Sequence, residues 1–443
     1  MNAIDNKRIN IFKLIYRLWL NIEKKRKIQL FFVFISMIVS GISELFILGT
    51  LIPFIQFISD PDLINKNQFF LNLFKFLKIY DKNQILFYVT SFFITSCIFS
   101  SILRIFNLWI GGKFSAALGT DISFKCYQKV MYQPYSYHKK INTSNIITLI
   151  SKEVKNTASI VQIILTLLTS LIILIFVSSA LFILNWKIFS FASICFLFSY
   201  SIIVLKTKDV LSENGRIITL NNSNQVKLIQ ESLGSIRDVI LSRLFAFYFK
   251  DYKSIEYKLR NIDMQNKFLN LFPRYTLDGI SYSLVGLISF LVVTNSPNNL
   301  NAISTIGVMA VGAQRLLPNF QLIYSAWATI QSNKFSLKIV LDYLDDLSSP
   351  KSLGKISHKT TFEKNITFKN IFFRYESDKS VLNGIDFTIY KGDKVGIIGK
   401  SGSGKTTILD LMTFLLKPQK GSIFVDDLDL TAKKNKANVL AFR

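Results

Sequence analysis

The sequence predicts an all-α membrane domain of six transmembrane helices with long cytoplasmic extensions, followed by part of an α/β phosphate-loop nucleotide-binding domain. Three observations carry that reading. Apolar runs recur at about 28–57, 85–112, 158–184, 188–205, 275–294 and 302–330, each near or above the ~20 residues that cross a hydrocarbon core at 1.5 Å per residue. With the N-terminus inside, the inner segments 1–27, 113–157 and 206–272 hold 26 Lys and Arg, and the outer segments 58–84, 185–187 and 296–301 hold 5. Such a bias is the positive-inside pattern. Lastly, Gly399-Lys400-Ser401-Gly402-Ser403-Gly404-Lys405-Thr406 fits the phosphate-loop spacing G-x-x-x-x-G-K-[ST].

Composition narrows the class. Half of the 443 residues are hydrophobic, 14% are aromatic, the net charge is +25 and the mean hydropathy is +0.34. Soluble nucleic-acid-binding proteins do not combine these values. The charge reports topology and contact with anionic headgroups, and no nucleic-acid partner is expected. The first apolar run is too long for a signal peptide, and no small-residue cleavage pattern follows it.

Residues 1–27 predict an interfacial helix before the first span. Ile11, Phe12, Ile15, Leu18 and Trp19 recur at helical spacing opposite Lys7, Arg8, Lys13 and Arg17, which suits the headgroup region or a face of the protein equally. The membrane domain covers 28–335. Its inner segments 113–157 and 206–272 keep helical periodicity with few breakers, Pro134 among them, so spans 2 to 5 are expected to extend well into the cytoplasm as helices. Cys97, Cys126 and Cys195 are isolated, and His138 and His358 lie far apart, so neither a disulfide framework nor a metal-ligand cluster is suggested.

Residues 336–365 predict a linker, clearest in 346–365 with Ser348-Ser349-Pro350. The nucleotide-binding part occupies 366–443. Ile366, Phe368, Ile371, Phe373 and Tyr375 suggest one strand and Val381–Ile389 another, before a turn at Lys391-Gly392-Asp393. Val395–Ile398 predicts a short buried strand leading into the phosphate loop. Thr406 to Leu416 predicts the helix after it, with Ile408, Leu409, Leu411, Met412, Leu415 and Leu416 on its apolar face. Glycines let the loop backbone wrap phosphate oxygens, so that N–H groups and the positive helix end face the anion. Lys405 is then placed to reach β- and γ-phosphates, and the Thr406 hydroxyl to ligate Mg²⁺.

Six spans followed by Ile366-Thr367-Phe368, Phe373-Arg374-Tyr375, Val381-Leu382-Asn383-Gly384-Ile385-Asp386-Phe387, Lys391-Gly392-Asp393-Lys394-Val395 and Gly399–Thr407 resemble ATP-binding cassette (ABC) exporters. Leu416-Lys417-Pro418-Gln419-Lys420-Gly421-Ser422-Ile423 is similar to the segment after the loop helix in that family. The resemblance implies that Tyr375 stacks on adenine, that Gly399 through Thr407 bind ATP and Mg²⁺, and that two subunits, expected as a homodimer, sandwich two ATP molecules. It also implies a multi-pass protein of a bacterial-type inner membrane with both the N-terminus and the cassette cytoplasmic.

A narrower likeness bears on substrate. Ser43-Glu44-Leu45, Ile52-Pro53-Phe54-Ile55, Pro273-Arg274-Tyr275, Asp278-Gly279 and Gln314-Arg315-Leu316-Leu317-Pro318 resemble flippases of lipid-linked oligosaccharides. Membrane lipid and a lipid-linked glycan or other amphipathic molecule are the partners this implies. Glu44, Asp278 and Arg315 fall at similar depth in their spans, where an ionisable side chain costs roughly 2.5–3.5 kcal/mol. The expected substrate path is Arg315 with Arg274 nearer the cytoplasmic mouth, held in position by Glu44 and Asp278. A structural ion pair without substrate contact is the alternative.

The 37 residues after Thr406 do not reach the places where the family has its glutamine loop, signature, catalytic glutamate and switch histidine. Ile423-Phe424-Val425-Asp426-Asp427 only mimics the missing hydrophobic–acidic strand. The expectation is a truncated exporter that binds nucleotide weakly, does not hydrolyse it efficiently, and is poorly ordered at its C-terminal end. A non-hydrolysing ATP-binding membrane regulator and half of a split transporter are the alternatives.

Overall fold

The structure, a computed structural model, describes residues 10–59, 82–184, 186–295, 300–346, 362–375 and 380–432, with some helical side chains among them left out. The end of the chain beyond 432, where poor order is expected, lies outside the described residues. Two compact units divide the chain: 1–125 with 147–344, and 126–146 with 345–443.

The first unit is helical. It holds α1 (Ile11–Asn21), α2 (Lys24–Ser59) and most of α3 (Lys82–Met131). A π-helical turn at Leu149–Glu153 runs into α6 (Val154–Leu184), and α7 (Trp186–Gly234), α8 (Ile236–Leu241), α9 (Phe245–Asn295) and α10 (Leu300–Asp346) follow. Three stretches, Lys24–Leu51, Gln84–Met131 and Thr143–Ile183, are long and apolar enough to cross a membrane. The other three expected spans lie on α7, α9 and α10, whose side chains are described only in part. Helices α7 and α9 each run for about 50 residues, roughly 75 Å at 1.5 Å per residue. A hydrocarbon core is only ~30 Å thick, so each helix has length to spare for an extension.

Packing explains why these sequences stay together. Leu48 of α2 buries against Ile173, Val177 and Leu181 of α6. Leu211 of α7 buries against Tyr324 and Ala328 of α10, with Leu269 of α9 alongside. At Gly215 a Cβ would stand 2.0 Å from the Ser332 carbonyl oxygen, so only glycine allows α7 that close to α10. Helix α1 resolves its two alternatives toward the protein on one face. Leu14 and Leu18 are buried and Arg17 pairs with Asp342 at 2.9 Å, while Phe12, Tyr16, Trp19 and Leu20 stay exposed.

The last helix runs further than the linker boundary at 336 suggested. Residues up to Asp346 are helical, because Leu337, Val340, Leu341 and Leu344 are buried at helical spacing.

The second unit contains α4 (Tyr135–Lys140), α5 (Thr143–Thr148) in part, β1 (Asn365–Arg374), β2 (Ser380–Tyr390), α11 (Lys405–Met412), β3 (Lys420–Val425) and β4 (Leu428–Asp429). The four strands form an antiparallel sheet in the order β2-β1-β3-β4. Phe368 pairs with Phe387 on one side and Ile423 on the other. Phe368, Ile371, Leu382, Leu411 and Ile423 are its most buried core side chains.

Two expectations fail here. Val395–Ile398 joins no strand, and Val395 and Ile398 are 56% and 97% exposed. A phosphate-loop strand is stable when parallel neighbours cover it, and no described strand provides them. The helix after the loop is shorter than Thr406–Leu416. Phe414 turns left-handed (φ 56°) and the Leu416 N–H donates back to the Asp410 carbonyl, which caps α11 at Met412.

Candidate functional site

The phosphate loop keeps the backbone its sequence demands. Gly402 (φ 80°) and Gly404 (φ 93°) are left-handed, and Gly404 starts α11, whose first helical bond runs from Ile408 N–H to Gly404 C=O at 2.9 Å. A Cβ on Gly404 would lie 2.9 Å from Leu382, and one on Gly399 would lie 2.7 Å from Ser403 Oγ. At Gly402 and Gly404 the left-handed φ favours glycine, and a Cβ at Gly404 or Gly399 would also force a neighbouring side chain to shift. The first turn of α11 leaves N–H groups without intrahelical acceptors, beside the positive helix end.

Lys405 Nζ donates to the Gly399 carbonyl at 2.7 Å and the Lys400 carbonyl at 2.8 Å. Its ammonium thus lies inside the loop, held by two backbone carbonyls. Lys400, Ser401 and Ser403 flank it as exposed loop residues, and Thr406 is exposed on the first helical turn. The donor set fits Mg²⁺–ATP: backbone N–H groups and an ammonium for phosphates, and a hydroxyl for the cation.

Tyr375, placed by β1, is brought to this helix. Its hydroxyl lies 3.2 Å from Thr407 Oγ1, and Phe373 meets its ring edge-on at 5.0 Å. Sequence reasoning missed two further members. Lys139 of α4 donates to Tyr375 Oη and to Asp410 Oδ2, each at 3.0 Å, and its ammonium lies 5.0 Å from the Tyr375 ring centroid. The bond to Tyr375, helped by Asp410 and opposed by burial, holds the Lys139 ammonium well above the ordinary lysine range. No local pattern signals this contact, since 236 positions separate Lys139 from Tyr375.

In the first unit, Glu44 is 2% exposed. Its carboxylate pairs with Arg104 of α3 at 2.9 Å. Small polar residues make that pairing possible by letting α2 and α3 approach. Ser43 and Ser100 hydroxyls meet at 2.9 Å, and Ser36 donates to Asn107 Oδ1 at 2.8 Å. Glu44, Arg104, Asn107, Gln162, Thr166 and Asn319 line a cavity of about 290 Å³. Asp278 accepts from Gln321 at 3.2 Å. Arg274 is exposed, and the side chain of Arg315 lies outside the described residues.

Residues 30–317 match the family model described as ABC transporter transmembrane region, and residues 382–441 match the one described as ABC transporter. A Mycoplasma genitalium protein whose name places it among ABC transporter ATP-binding proteins is 22% identical over 358 residues, covering 76% of this chain and 59% of the relative. An ATP-dependent lipid A-core flippase of Haemophilus ducreyi is 26% identical over 336 residues, covering 73% of this chain and 55% of the relative. The chain thus spans a little over half the length of these curated relatives. A solved bacterial Atm1-family ABC exporter with ATP bound superposes with a TM-score of 0.68 at 12% identity, covering 93% of this chain and 70% of that one. With a transmembrane family model spanning well over half of the sequence and a phosphate-loop family model following it, the chain belongs to the ABC transporter family.

Proposed function

We propose that this chain is the membrane domain and the nucleotide-gripping part of an ATP-driven exporter that moves or flips an amphipathic molecule, with lipid-linked oligosaccharides as the leading substrate class. The observation that carries the reading is the Lys405 loop with Tyr375 beside its helix at 3.2 Å, in a chain whose other unit consists of long apolar helices. Residues Gly399 through Thr407 hold the phosphates, Tyr375 offers a face to the base, and Mg²⁺ on the Thr406 hydroxyl would neutralise charge on the β- and γ-phosphates. The intramembrane cluster of Glu44 and Arg104, with Asn107 and Asn319, is the site proposed to meet a polar headgroup. Arg274, Asp278 and Arg315 remain candidates along the same path.

A second subunit, most simply another copy, is part of the proposal. Ile236, Ile240, Leu241, Leu244, Phe245, Phe247 and Phe249 are exposed around α8 at the junction of α7 and α9, an apolar patch of the kind that marks a protein partner. The positive-inside bias supports a cytoplasmic phosphate loop in a bacterial-type inner membrane. Cleavage of ATP needs a positioned general base as well as a phosphate loop, and the residues gathered around Lys405 are proposed as the gripping part. By themselves they are proposed to bind nucleotide without efficient hydrolysis.

Mg·ATP binding to the chain in nanodiscs, measured by calorimetry against Lys405→Ala, tests the reading. Micromolar binding that weakens at least tenfold in the variant supports it. Equal binding by both, or by neither, overturns it.

A further inference from the structure

We infer that Lys139 is a positioning residue for the nucleotide base: it sets the plane of the Tyr375 ring from the loop that joins the second and third expected spans. This rests on the nucleotide reading of Tyr375 and Lys405 above.

Helix α4 belongs to the nucleotide-binding unit, and its Tyr135 packs on that unit's core. One turn on, the Lys139 ammonium makes three contacts. It donates to Tyr375 Oη and to Asp410 Oδ2 at 3.0 Å each, and it stands 5.0 Å from the Tyr375 ring centroid. The same phenol oxygen shares a hydrogen bond with Thr407 Oγ1 at 3.2 Å. Asp410 and Thr407 are both buried on α11, the phosphate-loop helix. Lys139 therefore ties together the base platform, the helix behind the phosphates and the loop helix α4.

A tyrosine ring held only at its Cβ can tilt and swing, and stacking a base on it costs the entropy of fixing that plane. Here the phenol oxygen is fixed by Lys139 and Thr407 while Phe373 abuts the ring edge at 5.0 Å. The platform is pre-ordered, so Lys139 contributes to base affinity without itself touching the phosphates.

A purely structural staple between Lys139 and Asp410 would affect every ligand of the loop alike. A base-positioning role would affect only ligands that carry a base. The test measures Kd of the full chain in nanodiscs for Mg·ATP and for Mg·tripolyphosphate, in the unaltered protein, Lys139→Met, Tyr375→Phe and the double variant. Tyr375→Phe keeps the ring and leaves α4 untouched, which guards against a folding defect in Lys139→Met.

Each single variant is expected to bind ATP about 3- to 10-fold more weakly, the usual worth of one partly exposed charge-assisted hydrogen bond. Tripolyphosphate affinity should stay within about twofold, and the double variant should be no weaker than Lys139→Met. ATP affinity unchanged in Lys139→Met, a parallel loss for both ligands, or multiplied losses in the double variant overturns the inference while leaving the nucleotide site in place. Failure of the unaltered chain to bind either ligand removes the nucleotide reading itself, and this inference with it.

Discussion

Glu44 shows how a single buried charge constrains this molecule. Its carboxylate is 3% exposed as a side chain, and the Arg104 guanidinium stands 2.9 Å from it. Truncating one partner of such a pair costs far more than removing both, because the survivor keeps its desolvation penalty. Arg104→Met is expected to destabilise by about 2–4 kcal/mol, Glu44→Gln/Arg104→Met together by about half that or less. Apparent Tm in detergent, read for both single variants and the pair, checks the ordering; equal losses for the single and the double variant would contradict it. Glu153 is the converse case. It is 2% exposed at the end of the π-helical turn, and burial outweighs the nearby Ser336 hydroxyl and Lys152 ammonium in pushing its carboxyl above the ordinary range. A neutral amide of the same shape avoids the cost of burying a charge there and can still meet the Ser336 hydroxyl, so Glu153→Gln is expected to stabilise by about 1 kcal/mol at neutral pH. A lower apparent Tm for that variant would show that the carboxylate has a partner or a task.

Elements differ in how far the sequence revealed them. Strands β1 and β2 were legible because Ile366, Phe368, Ile371 and Phe373, and then Leu382, supply the apolar faces that the antiparallel register pairs. Helix α1 was legible from its period, and the phosphate loop from its glycines, whose left-handed φ values only that residue adopts readily. Val395–Ile398 was misread because a strand signal is conditional on neighbours, and none of the described strands lies beside it. The Lys139 and Arg104 contacts were not legible at all, since they depend on which helices meet and not on any local spacing. The β3–β4 hairpin offers a test at this scale. Asp426, itself left-handed (φ 54°), accepts from the backbone N–H groups of Glu363, Lys364 and Asn365 at 2.7–3.0 Å. Burial pushes its carboxyl up, but the three donors outweigh that and hold it below the ordinary 3.8. A depressed carboxyl contributes stability that is present above the ordinary value and lost as pH falls through the folded one. Asp426→Ala is therefore expected to lower the apparent Tm by a constant amount from pH 7 to about pH 5, with the gap closing below about pH 3.8. A gap that widens on acidification would refute the assignment.

For the whole molecule, the basic asymmetry makes a prediction that no single contact does. The 26 Lys and Arg assigned to inner segments against 5 assigned to outer ones bias orientation through anionic lipid, at about 1 kcal/mol per basic residue near the surface. Inverting the chain would forfeit that attraction on many residues at once, so one orientation should dominate in the cell. Parity then decides function, because six spans return the chain to the side on which it began. On six spans the Lys405 loop is expected to share the cytoplasm with segment 206–272, where ATP is available. A chain whose native cysteines Cys97, Cys126 and Cys195 are replaced by serine, carrying either Ser254→Cys in that segment or Asn298→Cys in the outer segment 296–301, reads this directly. A membrane-impermeant maleimide is expected to label Asn298→Cys in intact cells and Ser254→Cys only after the membrane is opened. The reversed pattern would put the phosphate loop outside, away from its nucleotide. Labelling of both positions from one side would mean an even number of crossings between them, or none, and the six-span arrangement would have to be redrawn.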